Sequence, residues 1–323
     1  MKILVTGAAG FIGSNLTNYL LQRDYEVVAI DNFNDFYNPK IKEFHIEPFV
    51  AHPKFTLYRT DISERDAVKK VFEENPDMEA VVHLAAWAGV TQSVENPHVF
   101  VKDNVLGTNN ITDYCVEYGV NNFIFASTSS VYGDNPTPFT EDMDTSHPNA
   151  PYPATKKATE VLLYTISKNK NLNVTIFRFF NPLGPNLRPD MALPKLIKSA
   201  EYGKVFEIWI DPVNSARDYV YIDDMSKSIE YVINNPLKYE ILNLGNSVAT
   251  RLQDLIEVVQ QVTGKKITAV ENFLLGQMKE TFADISRAQN LIGYAPSTTL
   301  REMVQRYYDW FLQQPEWYRL DNY

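Results

Sequence analysis

The chain has 323 residues, of which 45% are hydrophobic, enough for one large or two modest domains with a sizeable core. A net charge of −10 and a pI near 5.1 argue against partners such as a nucleic-acid backbone or an anionic membrane. A lone cysteine, Cys115, excludes a disulfide framework and sits in an apolar-periodic segment as a small buried residue. Met1 runs straight into a strand pattern, so no signal peptide is expected, and no apolar run approaches the roughly 18 residues of a membrane span. A cytoplasmic protein is the expectation.

Residues 2–31 read KILVTGAAGFIGSNLTNYLLQRDYEVVAID. Ile3, Leu4 and Val5 form an uncharged run of the kind buried on both faces of a parallel sheet. The turn GAAGFIG follows, and residues 11–21 then carry Ile12, Leu16, Leu20 and Leu21 at helical spacing. A second strand, residues 27–30, ends on Asp31. Strand, glycine turn, helix, strand and acid stand in the order a dinucleotide site requires. Gly7 allows the tight turn, Gly10 lets the backbone approach a pyrophosphate, and Gly13 lets the helix pack close. The helix start at Phe11 and Ile12 offers N–H groups and a positive dipole end to phosphate. Asp31, 18 residues after Gly13, is placed for the adenosine ribose hydroxyls, with Asn32 beside it. A 2′-phosphate would face this carboxylate with no basic residue directly following, so the expected cofactor is NAD.

Alternation continues along the chain. Residues 35–53 read as a long irregular loop with room for a short helix. Residues 55–58 form a third strand, with Asp61 and Ile62 beyond its end beside the adenine. Residues 67–74 are helical. AVVHL at 80–84 is a fourth strand, and Leu84, Ala85 and Ala86 lie against the cofactor. Residues 100–118 form a long helix carrying the cofactor-side Asn104. A fifth strand (122–127), a second long helix (152–167) and a sixth strand (173–178) follow. The pattern predicts a doubly wound parallel α/β sheet, a Rossmann fold.

After Arg178 the proline- and glycine-rich stretch NPLGPNLRPDMALP breaks the alternation. Shorter elements come next: a strand near 205–209 and helices near 193–202, 223–234, 251–263 and 300–311. Residues 1–180 are expected to form the cofactor domain. Residues 181–323 form a smaller mixed α/β substrate domain, with some segments rejoining the first. The five histidines are scattered, no metal-ligand cluster is apparent, and His83 reads as a buried strand-end residue.

The chemistry-bearing pattern is STSSVYG at 127–133 followed by YPATKK at 152–157. Tyr152 and Lys156, four apart on a helix, share one face. The lysine ammonium lowers the phenol's pKa, and a hydroxyl from Thr128 can bind the reacting oxygen. Together these make a general base for oxidising an alcohol by hydride transfer.

With these motifs the chain resembles the extended short-chain dehydrogenases/reductases, and among them the nucleotide-sugar 4-epimerases. DNFNDFY, SVENP, RFFNPLGP, RPDMA, ARDYVYIDD, NLGN and ETFAD extend the likeness nearly end to end. DN-NDFY, ENP and RPDMA most resemble UDP-glucuronate 4-epimerases. The resemblance implies bound NAD, Tyr152 as base, Lys156 on the nicotinamide ribose, and a UDP-sugar held by the C-terminal domain. It also implies a homodimer built on the two long helices. Arg217 in ARDY is the candidate partner of the diphosphate. Ser129, Ser130, Asn181 and Arg188 are the candidates for a sugar carboxylate.

Four positions depart from that family's pattern. Thr91 stands for an arginine and Gln92 for a tyrosine, Asn181 stands for a threonine, and Gln277 for an acid. They leave open a neutral UDP-hexose or UDP-N-acetylhexosamine as substrate. Related dehydratases and decarboxylases carry an acid before Val-Tyr-Gly, where this chain has Ser129 and Ser130, so a redox-neutral epimerase fits better. A non-catalytic nucleotide sensor on the same fold would have no need of Thr128, Tyr152 and Lys156.

Overall fold

A computed structural model describes residues 1–209, 211–272 and 280–321. Gly276 and Gln277 lie outside them. The chain divides into two compact units. The first comprises Met1–Asn135, Glu141–Phe179 and Ser226–Leu242; the second comprises Pro136–Thr140, Phe180–Met225 and Asn243–Tyr323.

The first unit is built on strands β1 (Lys2–Thr6), β2 (Glu26–Asp31), β3 (Phe55–Arg59), β4 (Ala80–His83), β5 (Asn122–Thr128) and β6 (Asn173–Phe179). Every neighbouring pair among them is parallel, with Ile3 opposite both Val27 and Ala80. A seventh strand, Tyr239–Leu244, lies outside β6, giving the order Tyr239–Leu244, β6, β5, β4, β1, β2, β3. Ile3, Leu4, Val5, Val81 and Val82 are all fully buried, which is why these runs carry no charge and no alternation. Leu4, Val28, Val81, Phe123 and Val174 pack with Val68, Val71, Phe72, Ile111 and Leu163 from the crossover helices into one core.

The strand order reverses between β1 and β4. In open parallel sheets that reversal leaves a crevice at the carboxyl ends of the two strands, where ligands bind. The chain makes the crevice with glycine. Gly7 follows β1 with φ +69°, and a Cβ there would lie 2.8 Å from the Ala85 nitrogen just beyond β4. Gly13 is crowded from the other side, since its Cβ would meet the Gly7 carbonyl oxygen at 2.1 Å.

The helix after β1 spans Phe11–Leu21, the interval its periodicity predicts. The stretch between β2 and β3 is more ordered than expected. Asn38 caps a helix over Pro39–Ile46 through Lys40 N–H, and a 3₁₀ turn follows at Glu47–Phe49. The single helix expected over 100–118 is instead an α turn at Pro97–Phe100, a wide π-helical stretch at Val101–Gly107 and an α-helix at Thr108–Glu117. A π stretch frees carbonyls from the i−4 ladder, and here the Asn104 carbonyl accepts from the Thr108 and Thr159 hydroxyls.

The second unit carries a three-stranded sheet in the order Ala249–Arg251, Ala216–Tyr221, Asn181–Leu183, and a two-stranded one of Phe206–Ile208 and Ala269–Glu271. The sequence pattern predicts only the strand near 205–209, because most of the others have three residues, too few for a period to register. Helices Leu252–Thr263 and Leu300–Leu312 pack together, the latter begun by a reciprocal Thr299–Glu302 capping box.

The glycine packing predicts a sharp contrast. Gly13→Ala should lower stability by about 1–3 kcal/mol, the usual cost of overpacking. Gly10→Ala, whose Cβ would meet only the Gly7 oxygen at 3.2 Å, should stay near wild type. Urea unfolding of the two variants checks this; equal midpoints would refute it.

Candidate active site

At the carboxyl ends of β1–β4 the structure gathers Gly7, Gly10, Phe11, Ile12, Gly13, Asp31, Asn32, Asp61, Ile62, Leu84, Ala85 and Ala86. Gly7 and Ala8 N–H groups donate to the Ile30 carbonyl at 2.7 and 3.2 Å, and Gly10 N–H donates to Gly7 at 3.1 Å. Side chains add to this backbone frame at Ala9, whose N–H donates to Asp31 and whose carbonyl lies 3.1 Å from the His45 ring. Gly10 caps the Phe11–Leu21 helix with no side-chain hydrogen bond, so the helix start keeps its positive end open. Above Gly10 nothing but the Gly7 oxygen lies within 4 Å of a would-be Cβ, a cradle that a side chain would fill. This donor set and this space fit a pyrophosphate.

Asp31 is buried and accepts from the Ala9 N–H at 3.0 Å and the Phe33 N–H at 2.8 Å. Burial raises its pKa, against the pull of Lys42, of these two N–H groups and of Arg59. The expectation of no neighbouring cation holds only along the chain. The fold brings Lys42 in from the Pro39–Ile46 helix and Arg59 from the register position opposite Asp31. Both are already engaged. Lys42 donates to the Asn34 carbonyl and side chain at 2.8 and 2.6 Å, and Arg59 pairs bidentately with Glu43 at 2.6 and 2.7 Å. Asp61 accepts from Ser63 N–H and Oγ, and Ile62 packs on Gly107, where a Cβ would come within 2.6 Å of it.

Asn104 bonds the loop after β4. Its side-chain oxygen accepts from Trp87 N–H at 2.8 Å, and its amide donates to the Trp87 carbonyl at 3.0 Å and Thr155 Oγ1 at 3.1 Å. Both amide hydrogens are spent on the protein, so Asn104 holds the loop after β4 in place and has no hydrogen left to donate elsewhere.

Tyr152 opens the helix Pro151–Lys170, where a proline suits the first turn, and its ring meets Phe100 edge-on at 6.1 Å. Lys156, one turn on, is 3% exposed. Its ammonium donates to the Ala126 carbonyl at 2.8 Å and lies 4.7 Å over the Phe125 ring. Burial pushes its pKa down to about 7, opposed by the charge of Glu160. Thr128 ends β5, and its Oγ1 accepts from Ser130 N–H at 3.1 Å, which shapes the turn that carries Ser129 and Ser130.

One buried group was not evident from sequence. Glu160 accepts from Ser127 Oγ at 2.6 Å and from Arg178 at 3.0 and 2.8 Å. This bolt joins β5, β6 and the helix that carries Tyr152 and Lys156. Glu160 follows Lys156 by one helical turn, and that spacing is the only signal the sequence carried.

In the second unit, Asn181 donates to the Asp218 carbonyl at 3.2 Å. Arg188 clasps Asp190 through Nε at 3.0 Å and Nη2 at 2.7 Å. Arg217 is half-buried and donates to the Ala216 carbonyl at 2.8 Å, with its pKa lowered by burial. Its neighbour Asp218 points elsewhere, accepting N–H groups from Asn246, Ser247 and Ala283 at 2.6, 3.0 and 3.0 Å. Among the described residues no cluster of His, Cys, Asp or Glu could hold a metal ion, and no helix is long and apolar enough to cross a membrane.

A parallel sheet with a glycine turn at its strand-order reversal, together with a Tyr–Lys pair on the helix after β5, defines a dinucleotide-dependent short-chain dehydrogenase/reductase fold. The chain matches the NAD dependent epimerase/dehydratase family over residues 3–245 and belongs to it. A UDP-glucuronate 4-epimerase of Thermodesulfobacterium geofontis is 38% identical over 309 residues, 95% of each chain. The Bacillus cereus UDP-glucuronic acid 4-epimerase, solved with UDP-glucuronic acid and NAD, superposes with a TM-score of 0.89 at 35% identity, covering 97% of this chain and 99% of that one. The Thermotoga maritima UDP-glucose 4-epimerase, solved with UDP-glucose, gives 0.87 at 28% identity with the same coverage. The cofactor of this chain is NAD.

Lys156 yields a stability prediction whose sign follows from its burial. Its folded pKa of about 7 lies below the ordinary lysine value of 10.5, so folding disfavours the charged form. The cost is full below about 7 and vanishes as pH rises to 10.5. Lys156→Met should therefore stabilise the cofactor-free protein at pH 6, by an amount on the order of a few kcal/mol, and the gain should shrink as pH climbs. Thermal melts across pH measure it; a gain independent of pH would contradict it.

Proposed function

We propose that this chain is an NAD-dependent 4-epimerase of a UDP-sugar that interconverts UDP-glucuronate and UDP-galacturonate. The observation that carries the reaction is Tyr152 and the buried Lys156 on one helix face, with Thr128 ending β5 and serines at 129 and 130. Bound NAD supplies the acceptor, and then the donor, of the hydrogen at sugar carbon 4. Tyr152 takes the proton of the 4-hydroxyl, and Thr128 holds the oxygen. Lys156, steadied by the Ala126 carbonyl, holds the phenol towards its ionised form. The 4-keto sugar then turns about its link to the diphosphate, held through Arg217, and Tyr152 returns the proton on the opposite face. Neither Ser129 nor Ser130 can act as the carbon-5 base a dehydratase needs, so the cycle closes without net oxidation.

The uronate assignment is supported by relatives bearing that activity in their names and by RPDMA at 188–192. Ser129, Ser130 and the Asn181 amide are its carboxylate donors. A 4-keto uronate is a β-keto acid that sheds carbon dioxide when its carboxylate turns out of place, so these donors must also hold it still. Arg188 carries less of this role than its motif implied, because its planar fork is spent on Asp190. That pairing, with Thr91 and Asn181, favours the second reading, a neutral UDP-hexose or UDP-N-acetylhexosamine as substrate.

The chain acts as a homodimer in this reading. Val101, Leu106, Val161 and Tyr164 leave about half their surface open at 53, 50, 52 and 48%. They stand on the two long helical segments of the first unit, where a second copy would cover them. A cytoplasmic location belongs to this reading and is supported by the lack, among the described residues, of a helix long and apolar enough to cross a membrane.

Two measurements test the proposal. Tyr152→Phe keeps the ring and removes the proton carrier, so turnover should fall roughly 10²–10⁴-fold with NAD content unchanged. Near-normal turnover would move the base elsewhere. A panel of UDP-sugars followed by NMR should show the uronate epimerised fastest. Faster turnover of UDP-glucose or UDP-N-acetylglucosamine would replace the uronate with the neutral substrate.

A further inference from the structure

The mechanism leaves one enclosed titratable side chain unused. His83, the last residue of β4, is fully buried, with its ring against Phe123 at 5.7 Å and stacked on Phe125 at 6.0 Å. Each ring nitrogen meets a threonine: Nδ1 lies 2.8 Å from Thr6 Oγ1, and Nε2 lies 2.9 Å from Thr108 Oγ1.

The outer partners decide which nitrogen carries the hydrogen. Thr108 Oγ1 lies 2.7 Å from the Asn104 carbonyl, and a carbonyl can only accept. The one hydroxyl hydrogen of Thr108 is committed there, so Thr108 can only accept from His83. Nε2 must therefore bear the hydrogen. At the other end, Thr6 Oγ1 accepts the N–H groups of Leu84 and Ala85 at 3.2 and 3.1 Å. The Leu84 N–H is shared with the Thr6 carbonyl at 3.2 Å, and with these two donors on its oxygen Thr6 turns its own hydrogen to the Nδ1 lone pair. A second ring proton, on Nδ1, would face that hydrogen. Burial, with Lys156 adding a like charge, pushes the imidazole pKa down to about 3.

We propose that His83, held as the neutral Nε2–H tautomer, is a positioning residue that couples the cofactor-binding turn to the helix of Tyr152 by a one-way chain of hydrogen bonds. The chain runs from Ala85 N–H to Thr6, His83, Thr108 and the Asn104 carbonyl. Thr6 directly precedes Gly7, at the closest approach of β1 and β4. Beyond Asn104, Thr159 of the Tyr152 helix shares its one hydroxyl hydrogen between the same carbonyl at 3.0 Å and the Thr155 carbonyl at 2.9 Å. The Asn104 amide donates to Thr155 Oγ1, which donates to the Tyr152 carbonyl at 2.8 Å.

Each hydroxyl has one hydrogen, so the order cannot reverse without asking a carbonyl to donate. The carbonyl end sets the orientation of every link, and the two ends of the site are fixed to one another. Hydride and proton transfer at one carbon need that fixity, since an error of about 1 Å costs on the order of 10²-fold. This role rests on the reading of Tyr152 as base.

The test has two parts. Nitrogen-15 NMR of histidine-labelled, NAD-bound protein should show His83 with Nε2 protonated and Nδ1 bare, unchanged across the range where exposed histidines titrate. A protonated Nδ1, or a titrating ring, overturns the assignment. Thr108→Val keeps the shape and breaks the chain, and Thr108→Ser restores it. The valine variant should lose about tenfold in kcat, the scale of one buried hydrogen bond, with the Michaelis constant for the UDP-sugar little changed. The serine variant should recover. If valine and serine variants both turn over like wild type, the coupling is refuted. The tautomer is read without turnover. Normal activity in Tyr152→Phe would thus remove the base and leave the tautomer standing, whereas a wrong tautomer leaves the base untouched.

Discussion

The site depends on how closely two strand ends approach. β1 and β4 meet where the sheet changes direction, and the absent side chain of Gly7 leaves 2.8 Å between its Cβ position and the Ala85 nitrogen. Any larger residue would push the two strands apart and close the crevice from within. The helix start, Asp31 and the loop after β4 all take their places from that contact. Gly13 extends the same constraint to the helix, which cannot sit this near the turn with a methyl at 2.1 Å from a carbonyl oxygen. Few residues specify the geometry, and all of them act by leaving space.

Around this crevice the first unit uses polar groups that are fully enclosed. Glu160, Arg178 and Ser127 form one buried cluster, and Thr6, His83, Thr108 and Asn104 form another. Buried polar networks stabilise only when every member is satisfied, and then they admit one arrangement. The Lys156 ammonium, by contrast, is held against its preference, with one carbonyl and one ring face as near partners. Burial there costs stability, as the lowered pKa of this lysine records.

Much of this was legible in the sequence, for definite reasons. Ile3–Leu4–Val5, the glycine turn and the 11–21 periodicity are local patterns, and local patterns survive folding. Tyr152 and Lys156 were legible because four residues on a helix is a distance. Asn181–Leu183, Ala249–Arg251 and Ala269–Glu271 in the second unit were not, since three residues carry no period. Neither was the company that Asp31 keeps: Lys42 and Arg59 arrive from a helix and a strand that only the fold brings near. Arg188 shows the opposite limit. Its motif pointed outward to a ligand, while Asp190, two residues on, holds its guanidinium. His83 read as a buried strand-end residue, and the structure adds the two threonines that give its burial a direction.

The loop after β4 also gives the protein an optical property. Trp87 stands edge-on to Phe36 at 5.4 Å and packs on Phe100 at 6.1 Å, which in turn meets Tyr152, while its indole N–H donates to Asp103 at 2.5 Å. It is the only one of the four tryptophans in the first unit. Its emission overlaps the absorption of reduced nicotinamide but not of the oxidised ring. With Trp209, Trp310 and Trp317 replaced, quenching of the remaining Trp87 fluorescence would report the oxidation state of the bound cofactor during a turnover that leaves no net redox change behind.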